Sequence, residues 1–353
     1  MSNAEQTIEQ GALSGSGVGI ALLNDTDVNG YHFGCARVVS TIRKQLVDRG
    51  LDLAGTVKVG LNWREVNPAL IRAADMLIIN GEGTLHHGAR KGLWMLQAAR
   101  EVMDRGGKVA IINTLWQDNP AEWAMLIKDA DILACRDNRS AARLRELTGR
   151  DVRCFGDLSM FGPVSLIERP RQGVLIGDSV HSSTTTKLAD FSNLVRDAQL
   201  VPVTSSLKFV SPRLSGLRFA ARTFYARQKQ KQYLLRYPSA NFVNNEAAYT
   251  ELLSTKALSV TGRFHAVCLS VLTRTPFVAI SSNSWKIEAL IQDIGLNPDR
   301  IIPVGKLARL DTNTARWAYT KEEITNIDSF LKNLESKCNA LFDDIARMAA
   351  RDS

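Results

Sequence analysis

The sequence predicts an α/β protein of two tandem parallel-sheet domains followed by a long C-terminal helix. Three observations predict it. Apolar runs of strand length alternate with amphipathic stretches of helix length, which is the signature of βαβ units. The opening run Gly17-Val18-Gly19-Ile20-Ala21-Leu22-Leu23-Asn24 is echoed by Gln172-Gly173-Val174-Leu175-Ile176-Gly177-Asp178, as if a second domain begins there. The chain has 353 residues, enough for two domains at about 100–200 residues each.

In order, an N-terminal domain over 17–165 should hold strands at 18–23, 74–80, 108–113, 131–136 and 152–155. Helices are expected at 34–48, 92–105, 121–128 and 138–148. A Pro- and Gly-punctuated linker over 162–172 leads to a second domain, 172–310, with further strands at 198–204, 257–261 and 276–281. Its helices are expected at 246–253, 266–273 and 287–294. Two segments stand outside the alternation. An insertion over 212–237 interleaves Arg213, Arg218, Arg222, Arg227, Lys229, Lys231 and Arg236 with Leu and aromatic residues, so it reads as a basic amphipathic helix. Over 320–350, Thr320-Lys321-Glu322-Glu323 is a capping box, followed by apolar residues from Ile324 to Met348 at helical spacing.

The composition is that of a soluble globular protein and excludes disordered, collagen-like and disulfide-scaffold classes. Forty-four Lys and Arg against 36 Asp and Glu give a net charge of +8, which favours an anionic partner without choosing one. Five scattered cysteines without a Cys-x-x-Cys pair point to a reducing compartment. Residues 1–19 lack the basic and apolar regions of a signal peptide, and no apolar run is long enough to span a bilayer, so a cytoplasmic location is expected.

Chemistry concentrates at strand ends. Ile78-Ile79-Asn80-Gly81-Glu82-Gly83-Thr84-Leu85-His86-His87-Gly88 is a Gly-rich turn after a buried strand, where open α/β sheets bind ligands. Gly81 and Gly83 permit close backbone approach, and Glu82, His86 and His87 can move protons near neutral pH. It is neither a Walker A loop nor a G-x-G-x-x-G fingerprint. In the second domain, Ser259-Val260-Thr261-Gly262-Arg263-Phe264-His265-Ala266 presents a guanidinium and an imidazole at a helix start, a cradle for an anion with a general acid beside it. Arg136 ends another strand and suits anion binding, whereas Asp137 and Ser140 read as helix caps. Asn29, His32 and Asp157 are expected to face a cleft between the domains, with Arg136 and Arg263 at its lips. No nucleophile elbow is present. His86 and His87 are adjacent rather than a helical turn apart, so no metal is expected.

In order along the chain, Asn80 to Gly88, Arg136-Asp137-x-x-Ser140-x-x-x-Leu144, Gly156-Asp157-Leu158-Ser159 and Gly262-Arg263-Phe264-His265-Ala266, then Pro276 to Ile280, Lys286 and Asp293-Ile294-Gly295, resemble the polysaccharide pyruvyltransferase family. The resemblance spans about residues 18–300 and implies two Rossmann-like domains in a GT-B-like arrangement. It also implies transfer of pyruvyl from phosphoenolpyruvate to a sugar diol of a cell-surface polysaccharide or its activated precursor. The product is a cyclic ketal, phosphate is released, and no cofactor is needed beyond phosphoenolpyruvate as co-substrate. By the same resemblance, Arg263, His265 and Arg136 would contact phosphoenolpyruvate. From the chemistry of the residues themselves, Lys286 is expected to join them, His265 to protonate the donor or support phosphate departure, and Glu82, His86 or His87 to activate the acceptor hydroxyl. Asn29, His32, Asp157, Gly81 and Gly83 are expected to contact the acceptor, taken to be anionic and nucleotide- or lipid-linked. The alternatives are a GT-B glycosyltransferase using a sugar nucleotide, and a protein that binds anionic membrane or nucleic acid through the 212–237 insertion. Of these last two surfaces the inner membrane face is favoured over nucleic acid.

Overall fold

The computed structural model describes residues 18–167, 169–211 and 214–350, so the leader reading of residues 1–17 and the insertion's Pro212 and Arg213 lie outside it. The chain divides into two compact units. Among the described residues the first comprises 18–26, 39–158 and 334–350, and the second 27–38 and 159–333.

In the first unit, β1 (Ile20–Asp25) leads to α1 (Phe33–Val47), whose opening turn counts with the second unit. β2 (Leu53–Lys58), α2 (Trp63–Val66), α3 (Pro68–Ala73), β3 (Met76–Asn80), α4 (Arg90–Asp104), β4 (Lys108–Thr114), β5 (Ile132–Cys135), α5 (Asn138–Thr148) and β6 (Arg153–Cys154) follow. Every residue of β1, β3 and β5 is buried, as expected of parallel strands covered on both faces. Asp137 caps α5 by accepting from the Ser140 N–H at 2.8 Å, and Gly149 closes it in the left-handed conformation. The segment expected as a helix at 121–128 is a 3-10 turn over Ala121–Leu126. β2 escaped the sequence reading because it is a half-buried edge strand whose apolar run is interrupted by Gly55 and Thr56.

The strands are all parallel, in the order β2-β1-β3-β4-β5-β6. Because β2 and β3 lie on opposite sides of β1, the winding reverses there. The carboxyl ends of β1 and β3 therefore flank the crevice where such sheets bind ligands.

The second unit repeats the plan. β7 (Val174–Ser179), α6 (Ser182–Ser192), β8 (Ala198–Leu200), α7 (Gly216–Arg236), α8 (Glu246–Ser254), β9 (Leu258–Gly262), α9 (Phe264–Leu272), β10 (Phe277–Ile280), α10 (Lys286–Ile294), β11 (Ile301–Ile302) and α11 (Thr314–Trp317) precede α12 (Lys321–Ala350). Its parallel sheet has the order β11-β10-β9-β7-β8, so the winding reverses at β7 and the crevice lies after β7 and β9. α9 is buried at every position, the mark of a core helix.

The chain is not partitioned as expected at 165 and 172. Residues 27–38 belong to the second unit because they pair with its own loop after β8. The Phe33 N–H donates to the Val203 carbonyl at 3.1 Å, the Ser205 N–H donates to the Tyr31 carbonyl at 2.9 Å, and the Phe33 ring packs against Tyr249. Nor is α12 an independent element. It opens in the second unit with the capping box in place, the Glu323 N–H donating to Thr320 Oγ1 at 3.1 Å and the Thr320 N–H to Glu323 Oε2 at 3.0 Å. From Leu334 it counts with the first unit, where Asp343 pairs with Arg49.

Candidate functional site

In the second unit, β7 ends at Asp178 and Ser179, and β9 ends at Gly262. A Cβ on Gly262 would sit 2.8 Å from the Ser179 Cβ, so only glycine lets the two strand ends run this close. The next residue, Arg263, caps α9 and turns its guanidinium onto Asp178, with Nε and Nη2 at 2.7 and 2.6 Å from one carboxylate oxygen. The remaining oxygen of Asp178 accepts from the Val203 N–H at 3.2 Å. The aspartate thus sets the direction of the guanidinium, which remains partly open to solvent beside the first N–H groups of α9.

His265, in the first turn of α9, is buried, and its ring lies 5.1 Å from that of His32, edge to face. Gly34 makes this approach feasible, since a Cβ there would fall 2.2 Å from the Cβ of His265. His32 is held by the pairing of its own segment with Thr204. Burial, followed by the positive influence of His265, Arg263 and Lys286, holds its imidazole well below the ordinary histidine pKa. At neutral pH His32 is therefore an uncharged base beside a second imidazole. Lys286, at the start of α10, donates to Asn283 Oδ1 at 3.1 Å. Arg263, His265, Lys286 and His32, expected from sequence to serve in two different domains, are brought together in one unit. Asn29, exposed and in the left-handed conformation, precedes them in the same segment.

One metal-ligand set occurs among the described residues: ligand atoms of His32, Cys35 and His265 lie within 4.8 Å of one another. The set escaped a sequence reading that weighed only His86 and His87. It could hold a soft divalent ion by donor type, but the charges of Arg263 and Lys286 oppose a cation there.

In the first unit the crevice after β1 and β3 is closed by a buried polar network. Asn24, in the left-handed conformation, donates to the carbonyls of Asn80 and Glu82 at 2.7 and 3.0 Å, and the Thr26 hydroxyl donates to Glu82 Oε2 at 2.6 Å. Asn80 Nδ2 reaches the same carboxylate at 3.4 Å. Glu82 is 2% exposed. Its carboxylate, expected as a candidate base, accepts from Thr26 and Asn80 and ties two strand ends together. Gly81 is required by packing, because a Cβ would lie 2.3 Å from Thr114 Oγ1, whereas Gly83 is exposed with nothing near it.

His86 and His87 sit on a loop laid against residues 117–119. The His87 N–H donates to the Gln117 carbonyl at 2.8 Å, Asn119 Nδ2 donates to the Leu85 carbonyl at 2.7 Å, and His87 Nδ1 lies 3.3 Å from Asp118 Oδ2. Arg136 and Asp157 were assigned to phosphoenolpyruvate and acceptor respectively. Both are buried, and they engage each other, with Nη1 3.2 Å from Oδ2. Asp157, expected as an acceptor contact, and Arg136 thus form a buried ion pair just beyond the end of β5.

Sequence reasoning missed Asp178, Cys35, Thr26 and Asn24. Asp178 carried a signal, since it ends the strand that echoes the chain's first. What the sequence lacked was its partner 85 residues later.

No curated protein matches the chain in sequence. Its fold is shared with a UDP-N-acetylglucosamine 2-epimerase of Listeria monocytogenes, described as putative, at a TM-score of 0.54 and 8% identity, covering 92% of this chain and 94% of that one. It is shared equally with a UDP complex of MnaA from S. aureus, at a TM-score of 0.54, 10% identity and the same coverages. A UDP-GlcNAc 2-epimerase from Neisseria meningitidis bound to UDP-GlcNAc has a TM-score of 0.50 and 9% identity, covering 94% and 99%. At these identities the likeness is one of fold, two Rossmann-like α/β units of the GT-B-like class. The family model for polysaccharide pyruvyl transferase matches residues 17–284, which include both strand-end crevices, and the chain belongs to that family.

Proposed function

We propose that the protein transfers the pyruvyl unit of phosphoenolpyruvate to two hydroxyls of a sugar in a cell-surface polysaccharide or its activated precursor. The product is a cyclic ketal, and phosphate is released. The observation that carries this reading is the cluster at the crevice of the second unit, where Arg263, Lys286 and the start of α9 supply positive charge and His265 and His32 form an acid–base pair. A small dianion bearing phosphate and carboxylate matches that balance.

In the proposed sequence, His265 gives a proton to the methylene carbon and C2 becomes an oxocarbenium. One sugar hydroxyl adds to C2, its proton passing to neutral His32. The C2–O bond to phosphate then breaks, with the electron pair leaving on phosphate, and the second hydroxyl closes the ring. Of the two hydroxyl protons, one is balanced by that gained in the methyl group and the other leaves with phosphate. Two imidazoles this close resist double protonation, so an acid and a base coexist at one pH. His32 takes the base role for which Glu82, His86 and His87 were first considered. Asn29, in the same segment as His32, is kept as an acceptor contact, and the net charge of +8 suits an anionic, nucleotide- or lipid-linked acceptor.

The test is phosphate release from phosphoenolpyruvate across a panel of sugar nucleotides and lipid-linked sugars. We expect acceptor-dependent release, lowered about 10²- to 10⁴-fold in kcat by His265→Ala, with Arg263→Ala raising the KM for phosphoenolpyruvate above that for acceptor. Nucleotide release from a sugar nucleotide without consumption of phosphoenolpyruvate would instead establish a glycosyltransferase.

A further inference from the structure

Helix α7 rests on the second unit through one narrow stripe. Thr223, Ala226, Gln230 and Tyr233 are half-buried, and Tyr237 just beyond the helix is buried. No residue of α7 itself is fully buried. The opposite face carries Leu217, Ala221, Phe224 and Leu235, with Gln228 and Gln232 between the last two. Leu217 is 89%, Phe224 64% and Leu235 74% exposed. Large apolar side chains gathered on one helix face and turned to water are what a monomeric soluble surface avoids.

The charge on the helix is one-sided as well. Six of its 21 residues are Lys or Arg and none is acidic. On a helical projection Arg218, Arg222, Lys229 and Arg236 run along one edge of the apolar line, and Arg227 and Lys231 along the other. Beside the helix, a groove of about 500 Å³ against segment 206–210 repeats the pattern, with Val210, Leu234 and Leu235 as apolar lining and Lys208, Arg227 and Lys231 as cations. No helix among the described residues is long and apolar enough to cross a membrane.

We propose that α7 is an interfacial anchor that lies in the plane of an anionic lipid bilayer, with Leu217, Phe224 and Leu235 among the acyl chains and the flanking cations on lipid phosphates. An apolar ridge between two basic edges matches the cross-section of such a surface, apolar below and anionic at head-group level. A nucleic-acid surface would make use of the cations but leave the aliphatic ridge in water. The anchor does not depend on which reaction the crevice performs.

Sedimentation of the full chain with vesicles tests it. Vesicles with about 30% phosphatidylglycerol in phosphatidylcholine should pellet the protein, and pure phosphatidylcholine vesicles should not. The Leu217→Ser/Phe224→Ser/Leu235→Ser variant and the Arg218→Gln/Arg222→Gln variant should each weaken binding about tenfold or more, and salt should weaken it too. Every altered residue is solvent-exposed, so circular dichroism and enzymatic turnover of a water-soluble acceptor should be unchanged. The proposal is overturned if anionic vesicles leave the protein in solution, or if the serine variant binds them as the wild type does. It is equally overturned if single-stranded RNA is retained while vesicles are not, or if the apolar line proves to join two copies of the chain.

Discussion

Asp178 is the residue on which the second unit's site turns. It ends a wholly buried strand, accepts two contacts from Arg263 and one from the Val203 N–H, and so fixes where positive charge is presented. Near Arg263, His32 is neutral because burial and then three positive neighbours disfavour its proton. Its role as base is thus available at neutral pH and is lost as pH falls through its lowered pKa. Arg263→Gln removes one of the neighbouring charges, so the His32 pKa rises toward its ordinary value and the acid limb of the kcat/KM profile should move to higher pH. A limb that stays in place would assign it to another group. Arg263 and His265 were legible because a Gly-Arg-x-His run after an apolar strand announces its own geometry. The setting of Glu82 was not legible, because nothing local in the sequence shows that Thr26 and Asn80 close over its carboxylate. His32 was expected in the first half because the pairing of 31–33 with 203–205 joins segments far apart in the chain.

Among the elements, α12 was the most legible, since its capping box and apolar spacing are local signals. Less legible was how firmly that box is tied to the sheet. Arg300, 4% exposed, places Nε and Nη2 on Glu323 at 2.8 and 2.7 Å and Nη1 on the Trp317 carbonyl at 2.9 Å. Burial alone would raise the Glu323 pKa, but bonds from Arg300 and from the N–H groups of Thr320 and Asn297 outweigh it and hold the carboxyl below its ordinary value. The pair's contribution is therefore present above the usual carboxylate range and fades as pH drops through the lowered pKa. Arg300→Met leaves that carboxylate buried without its partner and should cost about 3–5 kcal/mol in urea unfolding monitored at neutral pH. A loss under about 1 kcal/mol would show that solvent reaches Glu323. β2 and α6 lacked such signals, the first a mixed edge strand and the second a run of Ser and Thr.

At the scale of the whole molecule, two sheets share one device, a reversal of winding at the first strand that opens a crevice at paired strand ends. The repetition was legible in the echo of residues 17–24 at 172–178. The division of the chain was not, because it depends on the long-range exchange of 27–38 and of the end of α12. The crevice of the second unit brings Arg263, Lys286, His265 and His32 together, and the proposed chemistry rests on that cluster. Reaction in D2O with phosphoenolpyruvate and a competent sugar acceptor tests it most directly, by mass spectrometry of the product. The expected product is a ketal whose methyl group holds one solvent-derived deuterium, formed in step with phosphate and suppressed in His265→Ala. A ketal lacking solvent deuterium, or one formed undiminished by that variant, would contradict it.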